Sequence, residues 1–413
     1  MRLDDLARHA AQDLVKAAAT ANRPGIQELE RVRRGRAFIL GVSSLMALVG
    51  MTIVAVSVWP ESPPVASEST TRTPQVMPIA IGPLEPRGGH SVIWTGEEVI
   101  VWGGEGNETG SVQFGNGAAY NPASDSWRAI EDAPITPRRY HVAAWTGVEM
   151  LVVGGVDERD GAKYFPATDS WELVSESPIP IGPPAGLPIE GAIGSAWTGD
   201  QLVVWHVATD QLAAYDPESD QWTLLPPTGL KVDNGALRWN GVDVYAFGDH
   251  MSSYPQDREL LVLRLRDGQW QQLPSAEFST TEDIVAAGAT LTQWAGDRFI
   301  SWSMSGQDGL TRGLVPDDDA WAELARNPHP PCDGQGEPIQ ADDAIISFGW
   351  CGSNAAIYEP SNGSWTTFEV TGSPTARYTV WTGVEIINWG DTCCYGTGGQ
   401  AFTVDAWRKE PPG

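Results

Sequence analysis

Cysteine is scarce in this chain and confined to its end: the 413 residues hold four, Cys332, Cys351, Cys393 and Cys394, all within the last 82. Histidine is nearly as rare. Of six in all, His90, His141, His206, His250 and His329 follow residue 60, and no two stand at a metal-ligand spacing, so neither a metal nor any other cofactor is expected. Basic charge is also in short supply, with 26 Lys and Arg against 53 Asp and Glu and a net charge of −27. The first 36 residues take eight of the basic residues and only five of the acidic ones, which leaves 18 basic against 48 acidic for the rest. A surface of that sign repels phosphate backbones, which excludes nucleic acid as a partner of the main domain. Linear catalytic signatures are missing too: there is no nucleophile elbow, Walker loop or zinc helix, so no catalytic residue is assigned and the reading leans away from an enzyme. The acidic runs Asp157-Glu158-Arg159-Asp160 and Asp317-Asp318-Asp319 lack the alternating ligands and distal Glu of a calcium loop, and read as solvated turns.

Only one long apolar run is present, and it is decisive. Ala37 to Trp59 is 23 residues without a charge, enough at about 1.5 Å per residue to span a bilayer core of roughly 30 Å. A signal peptide would have a shorter apolar region after a short basic head, whereas 36 residues precede this one. Arg31, Arg33, Arg34 and Arg36 flank its start, while Arg72 is the sole basic residue between 60 and 86. The positive-inside rule therefore predicts a single-pass cell-membrane protein, N-terminus cytoplasmic and the rest extracytoplasmic, where disulfides persist. Leu3, Leu6, Ala10, Leu14 and Ala17 predict a short amphipathic helix in the cytoplasmic segment 1–36. Residues 60–75, rich in Pro, Ser and Thr, predict an extended tether.

Beyond the tether, over 76–413, the sequence repeats. One Trp, usually in Trp-Thr-Gly, recurs at Trp94, Trp145, Trp197, Trp239, Trp294 and Trp381, with a degenerate copy near Ala341. A second recurs at Trp127, Trp171, Trp222, Trp270, Trp321, Trp365 and Trp407. The Gly after the first Trp supplies the positive φ of a tight hairpin between two strands. A third strand is expected to end at Tyr120, Tyr164, Tyr215, Leu263, Leu314 or Tyr358, seven positions before the second Trp, and a fourth to begin at that Trp. Each unit is then a four-stranded antiparallel sheet that buries its faces only by stacking on its neighbours, which predicts an all-β propeller of seven blades. Whether its ring closes with the strand from Trp407 or with Val76–Ile81 is left open by the repeat.

Val101-Trp102-Gly103-Gly104, Tyr120 and Trp127, and again Val152-Val153-Gly154-Gly155, Tyr164 and Trp171, resemble the blades of kelch-repeat propellers, which carry a diglycine, a Tyr and a Trp in that order. Later units replace the pair by Trp205-His206, Phe247-Gly248, Trp302-Ser303, Phe348-Gly349 and Trp389-Gly390. The architecture is similar to the central domain of galactose oxidase. That resemblance implies a copper site of two His, two Tyr and a Cys joined to one Tyr, which the sparse histidines and the late cysteines do not match. His90 and His141, equivalent in units one and two, are assigned instead to a structural role on the inner strand.

The most distinctive local stretch is Asp391-Thr392-Cys393-Cys394-Tyr395-Gly396. Cys332 precedes the first strand of unit six and Cys351 follows its second, so the two fall at one end of an antiparallel pair and are expected to bridge. Cys393 and Cys394 are then left for a vicinal disulfide beside Trp389 and Tyr395, and these four residues are the expected ligand contacts. The function expected is non-catalytic recognition of a protein, glycan or small molecule at one propeller face. The alternatives are an extracytoplasmic enzyme acting on a glycan and a transmembrane signalling protein.

Overall fold

A computed structural model describes residues 76–106, 112–183, 192–249, 259–277, 287–303, 311–316, 318, 320–328, 338–348, 354–369, 378–390 and 399–403. All belong to the compact unit Glu68–Gly413. Among the described residues no helix is long and apolar enough to cross a membrane. The apolar run Ala37–Trp59, the cytoplasmic segment and the tether lie outside them.

The described strands form seven four-stranded antiparallel sheets. Blade one consists of Ser91–Trp94, Val99–Trp102, Gly117–Asn121 and Ser126–Ala129, and blade two of Val142–Trp145, Met150–Val153, Gly161–Phe165 and Ser170–Val174. Ile193–Trp197, Leu202–His206, Gln211–Asp216 and Gln221–Leu225 make blade three. Blade four holds Asn234–Trp239, Val244–Asp249, Glu259–Arg266 and Gln269–Glu277, and blade five Ala287–Ala295, Arg298–Ser303, Thr311–Val315 and Ala320–Glu323. Ile339–Ala341, Ala344–Phe348, Asn354–Glu359 and Ser364–Glu369 follow as blade six. Blade seven takes Thr379–Trp381, Glu385–Trp389 and Gly399–Thr403 from the end of the chain and its outer strand, Val76–Pro78, from the beginning. First strands of successive blades touch in order, and that of blade seven touches that of blade one. The ring is therefore closed by Val76–Pro78, which settles the alternative that the repeat left open.

The hairpins form as their chemistry dictates. In blade one the Thr95 hydroxyl accepts the N–H groups of Glu97 and Glu98, while the Thr95 N–H bonds the Glu98 carbonyl at 3.0 Å. Gly96, at φ 101°, turns the chain between them. Thr146, Thr198 and Thr382 repeat the arrangement, and in blade four the Asn240 side-chain oxygen replaces the hydroxyl. The core lies between blades rather than within them. Ile100 and Trp102 of blade one pack with Met150, Val152, Ala162 and Tyr164 of blade two, and Val99–Trp102, Met150–Val153 and Leu202–His206 are buried throughout. Apolar area is removed from water on both faces of each second strand, and this is why those strands read as continuous apolar runs instead of alternating.

Trp127, Trp171, Trp222, Trp270, Trp321 and Trp365 are half-buried, not engulfed. Each sends its indole N–H to a backbone carbonyl of the preceding blade: Ala80, Glu131, Ser175, Pro226, Pro274 and Ala325 respectively, at 2.7–2.8 Å. Across three seams the bond is reciprocated. Asp125, Asp169 and Asp220, two positions before their Trp and at φ of 46–53°, accept the N–H of that same Ala80, Glu131 or Ser175 together with the hydroxyl of Tyr120, Tyr164 or Tyr215 in their own blade. A short polar side chain tolerates the left-handed conformation, which explains why Asp occupies the turn. Blade four departs from the seven-position spacing, because its third strand runs on to Arg266 and pairs Leu265, not Leu263, with Trp270.

Candidate functional site

Strand direction sorts the connections. Those from first to second strand and from third to outer strand are tight turns, such as 95–98 and 122–125, and leave one end of the sheets. Those from second to third and from outer to next first strand, such as 103–116, 154–160 and 175–192, leave the other. All the long connections therefore gather at one end, which is where loops placed on a rigid scaffold carry recognition. Val76 lies in register with Phe402, Phe402 with Ile386, and Ile386 with Trp381, so the chain enters the ring from the tight-turn end.

In blades one and two the diglycines bring these connections close. Gly104 and Gly154 have φ of 100° and 68°, and a Cβ would lie 2.7 Å from the Gly88 oxygen at the first and 2.1 Å from the Ile181 oxygen at the second. No side chain fits either place. Beneath each diglycine a fully buried guanidinium collects the loop carbonyls. Arg87 donates to the carbonyls of Gly103 (3.0 Å), Asn116 (3.2 Å) and Glu85 (3.1 Å) and pairs with the Glu85 carboxylate, with the Phe114 ring 4.1 Å away. Arg138 donates to Gly154 (3.0 Å), Asp160 (3.1 Å) and Thr136 (3.0 Å) and pairs with the Asp160 carboxylate at 2.8 Å. Burial lowers the Arg87 pKa to about 10, partly offset by Glu85, so it stays charged at neutral pH.

Above them sits a polar cluster. Glu105, 5% exposed, accepts the Tyr140 hydroxyl at 2.8 Å and pairs with Arg139, which is partly exposed. Backbone bonds between Gly88 and Glu105 of 2.8 and 2.9 Å hold the carboxylate's loop in place. Tyr140 stands at φ 54°, a conformation rare for a bulky residue, fixed by its N–H to the Gly89 carbonyl at 2.8 Å. Strain of this kind persists where surrounding contacts over-determine it, often at binding sites. Burial and the Glu105 carboxylate raise the Tyr140 pKa, keeping the phenol protonated.

His90 and His141 each pack edge-on against the last Trp of the preceding blade's second strand, Trp389 at 5.3 Å and Trp102 at 5.0 Å. His90 also stacks on Tyr378 at 3.9 Å and donates from Nε2 to the Trp389 carbonyl at 3.2 Å, while the Tyr378 hydroxyl accepts the Gly89 N–H at 2.5 Å. His141 as a residue is half-buried, yet both its ring nitrogens are shut from solvent and without a hydrogen-bond partner. Burial above all drives both pKa values down to about 3, so both rings are neutral. Between about pH 6.5 and 3 the unfolded chain binds protons that the native one refuses, so stability is full above pH 6.5 and falls below it. Going from pH 7 to pH 5 should remove about 2 kcal/mol per histidine. Urea unfolding at the two pH values checks this, with His141→Leu expected to remove about 2 kcal/mol of the loss. An unchanged pH dependence in that variant would place the effect elsewhere.

Among the expected ligand contacts, Trp389 is 1% exposed and packs with Trp127 and His90 between blades seven and one. Cys393, Cys394 and Tyr395 lie outside the described residues, as do Cys332 and Cys351, so neither disulfide pairing is seen. The strands flanking 349–353 and 391–398 open onto the end that carries the long connections. Sequence reasoning missed Glu105, Arg139, Tyr140 and the two buried arginines. The available signal was the recurrence of Pro86-Arg87 and Pro137-Arg138, each Arg seven positions before its Trp in Trp-Thr-Gly. No group of three His, Cys, Asp or Glu among the described residues is placed to hold a metal ion.

No family model matches the chain. An F-box/kelch-repeat protein of Arabidopsis thaliana is 25% identical over 199 residues, 42% of this chain and 50% of that protein, so the chain spans about half the length of this relative. A solved structure, a fungal alcohol oxidase of the AA5 family in complex with copper, superposes with a TM-score of 0.54 at 14% identity over 80% of this chain and 76% of its own. The likeness supports a kelch-like propeller fold.

Proposed function

We propose that this propeller is a non-catalytic recognition module, held outside the cell membrane by the apolar helix Ala37–Trp59, and that it binds a protein ligand at the end bearing the long connections. The observation that carries the reading is the asymmetry of the ring. Tight turns occupy the end where the chain enters, and the strained Tyr140, the Glu105–Arg139 pair and the cysteine-bearing connections belong to the opposite end. Bridges Cys332–Cys351 and Cys393–Cys394 would stiffen that end, with Tyr395 and the vicinal pair as ligand contacts; a wall glycan is the second ligand class this surface would suit. Trp389 serves by supporting the neighbouring connection rather than by touching ligand.

The reading does not carry over the activity of the fungal alcohol oxidase that is similar in fold. At 14% identity the likeness is one of architecture. His90 Nε2 donates to the Trp389 carbonyl, which supports a structural role for this ring on the inner strand. The topology is tested with protease added to intact cells. The expected result is digestion or release of the propeller with the first 36 residues protected. Recovery of the full-length chain from the soluble cytoplasm would end the membrane reading.

A further inference from the structure

Glu105 and Arg139 are unequal partners. Glu105 sits on fixed backbone, its N–H and carbonyl both bonded to Gly88, and its carboxylate is only 6% exposed. The guanidinium of Arg139 is the more open of the two, at 27%. It is also the worse satisfied. Arg138, one residue earlier, spends its donors on three carbonyls and a carboxylate. Arg139 brings Nη1 to Glu105, whereas its Nε, shut from solvent, meets no hydrogen-bond partner among the described residues. A buried N–H in that state costs free energy, so Arg139 holds its carboxylate less firmly than Arg138 holds its own acceptors. The misfit begins in the backbone. The Arg139 carbonyl accepts the Val156 N–H at 3.3 Å and the next residue is the left-handed Tyr140, which together fix where the side chain starts.

Glu105, by contrast, can take a better cation. Oε1 accepts the Tyr140 hydroxyl and Oε2 receives Arg139, and an ionised carboxylate has lone pairs for more than one donor on each oxygen. The Tyr140 ring, 5.4 Å from the Arg139 guanidinium carbon, offers its face to a cation. Charge favours the same ligand, since beyond residue 36 the chain holds 48 acidic residues against 18 basic ones. We propose that Glu105 and Tyr140 form a slot for an arginine side chain of the protein ligand, and that Arg139 fills this slot until the ligand arrives. The assignment rests on the reading of the long-connection end as the recognition surface. An arginine from outside is free to lay its planar fork across both carboxylate oxygens, and Arg139, once displaced, regains water for its Nε. Arg139 is thus a built-in competitor that lowers the affinity for every incoming cation.

Titration calorimetry of the full chain with Nα-acetylarginine amide tests the slot. Arg139→Ala should bind this probe roughly tenfold more tightly than the unaltered chain, because the competitor is gone. Adding Glu105→Gln should abolish the gain. Glu105→Asp, which keeps the charge but draws it back by one methylene, should weaken the probe roughly fivefold in the Arg139→Ala chain, and it serves if Glu105→Gln does not fold. Equal affinity of Arg139→Ala and the unaltered chain, unfolding of Arg139→Ala, or a gain that survives either change at Glu105 would overturn the proposal. Its failure is distinct from failure of the reading it rests on. A chain that captures a protein at its long connections in cells but ignores the probe would lose the slot and keep the recognition reading; probe binding without such capture would uphold the slot and overturn that reading.

Discussion

Replacing Arg138 by leucine should lower the stability of the propeller by about 3–5 kcal/mol, because several loop carbonyls lose their donor at about 1–3 kcal/mol each. Its guanidinium is completely buried and spends its donors on the carbonyls of Gly154, Asp160 and Thr136, the Thr136 hydroxyl and the Asp160 carboxylate. Leucine fills part of the volume but leaves the loop carbonyls, that of Gly154 fully buried, without their donor, while the Asp160 carboxylate, 43% exposed, keeps water as a partner. Lysine is the informative control. It keeps the charge but is a point donor that cannot span three carbonyls and a carboxylate at once, so Arg138→Lys should recover less than half of the loss. Denaturant midpoints of the three chains measure this; equal stability of Arg138→Leu and the parent would mean that the loop carbonyls find other partners.

A loss of about 3 kcal/mol is expected for Trp222→Ala, the lower end of the range for large aromatic truncations because the ring is only half-buried. The indole packs on Tyr215 at 5.0 Å and donates to the Ser175 carbonyl at 2.8 Å, while the Ser175 N–H and hydroxyl return bonds to Asp220. Trp222→Phe separates the contributions, since it keeps most of the ring and deletes only the donor; about 1 kcal/mol is expected for it. Thermal unfolding of both variants checks the pair. If Phe costs as much as Ala, the inter-blade bond outweighs the packing and the seam is chiefly polar.

These two sites also mark how far the fold could be read from the chain. The hairpins were legible because Thr95-Gly96 and its repeats encode a local structure, closed by bonds between residues two or three apart. The outer Trp residues were legible as repeats but not in their burial, since their role depends on a carbonyl some forty residues earlier in the chain. Leu265 was misplaced by two positions because a two-residue turn at Asp267-Gly268 replaced the longer turn of the other blades. The closing strand was only one of two options, as Val76–Pro78 is too short to show an alternating pattern and contains a proline. Glu105, Arg139 and Tyr140 were hidden for another reason. They come from different connections, and only the packing of blade two on blade one brings the connection after Trp102 beside the one before Val142.

The Pro-Arg pairs show the same limit from the other side. A charged residue in a loop reads as solvated, and nothing local marks Arg87 and Arg138 as the supports of the diglycine loops. The geometry makes them so, because a glycine pair that passes within van der Waals range of another backbone turns its carbonyls inward, where a guanidinium fork is the side chain that can meet several at once.

The most direct measurement of the account places a photoreactive amino acid at Val112 or at Val242 of the full-length chain in intact cells. Val112, 48% exposed, belongs to the long connection of blade one, and Val242, 72% exposed, to the tight turn of blade four at the opposite end of the ring. Recognition through the long connections predicts covalent adducts with an extracellular protein from Val112 and none from Val242. Adducts from Val242 alone would contradict it.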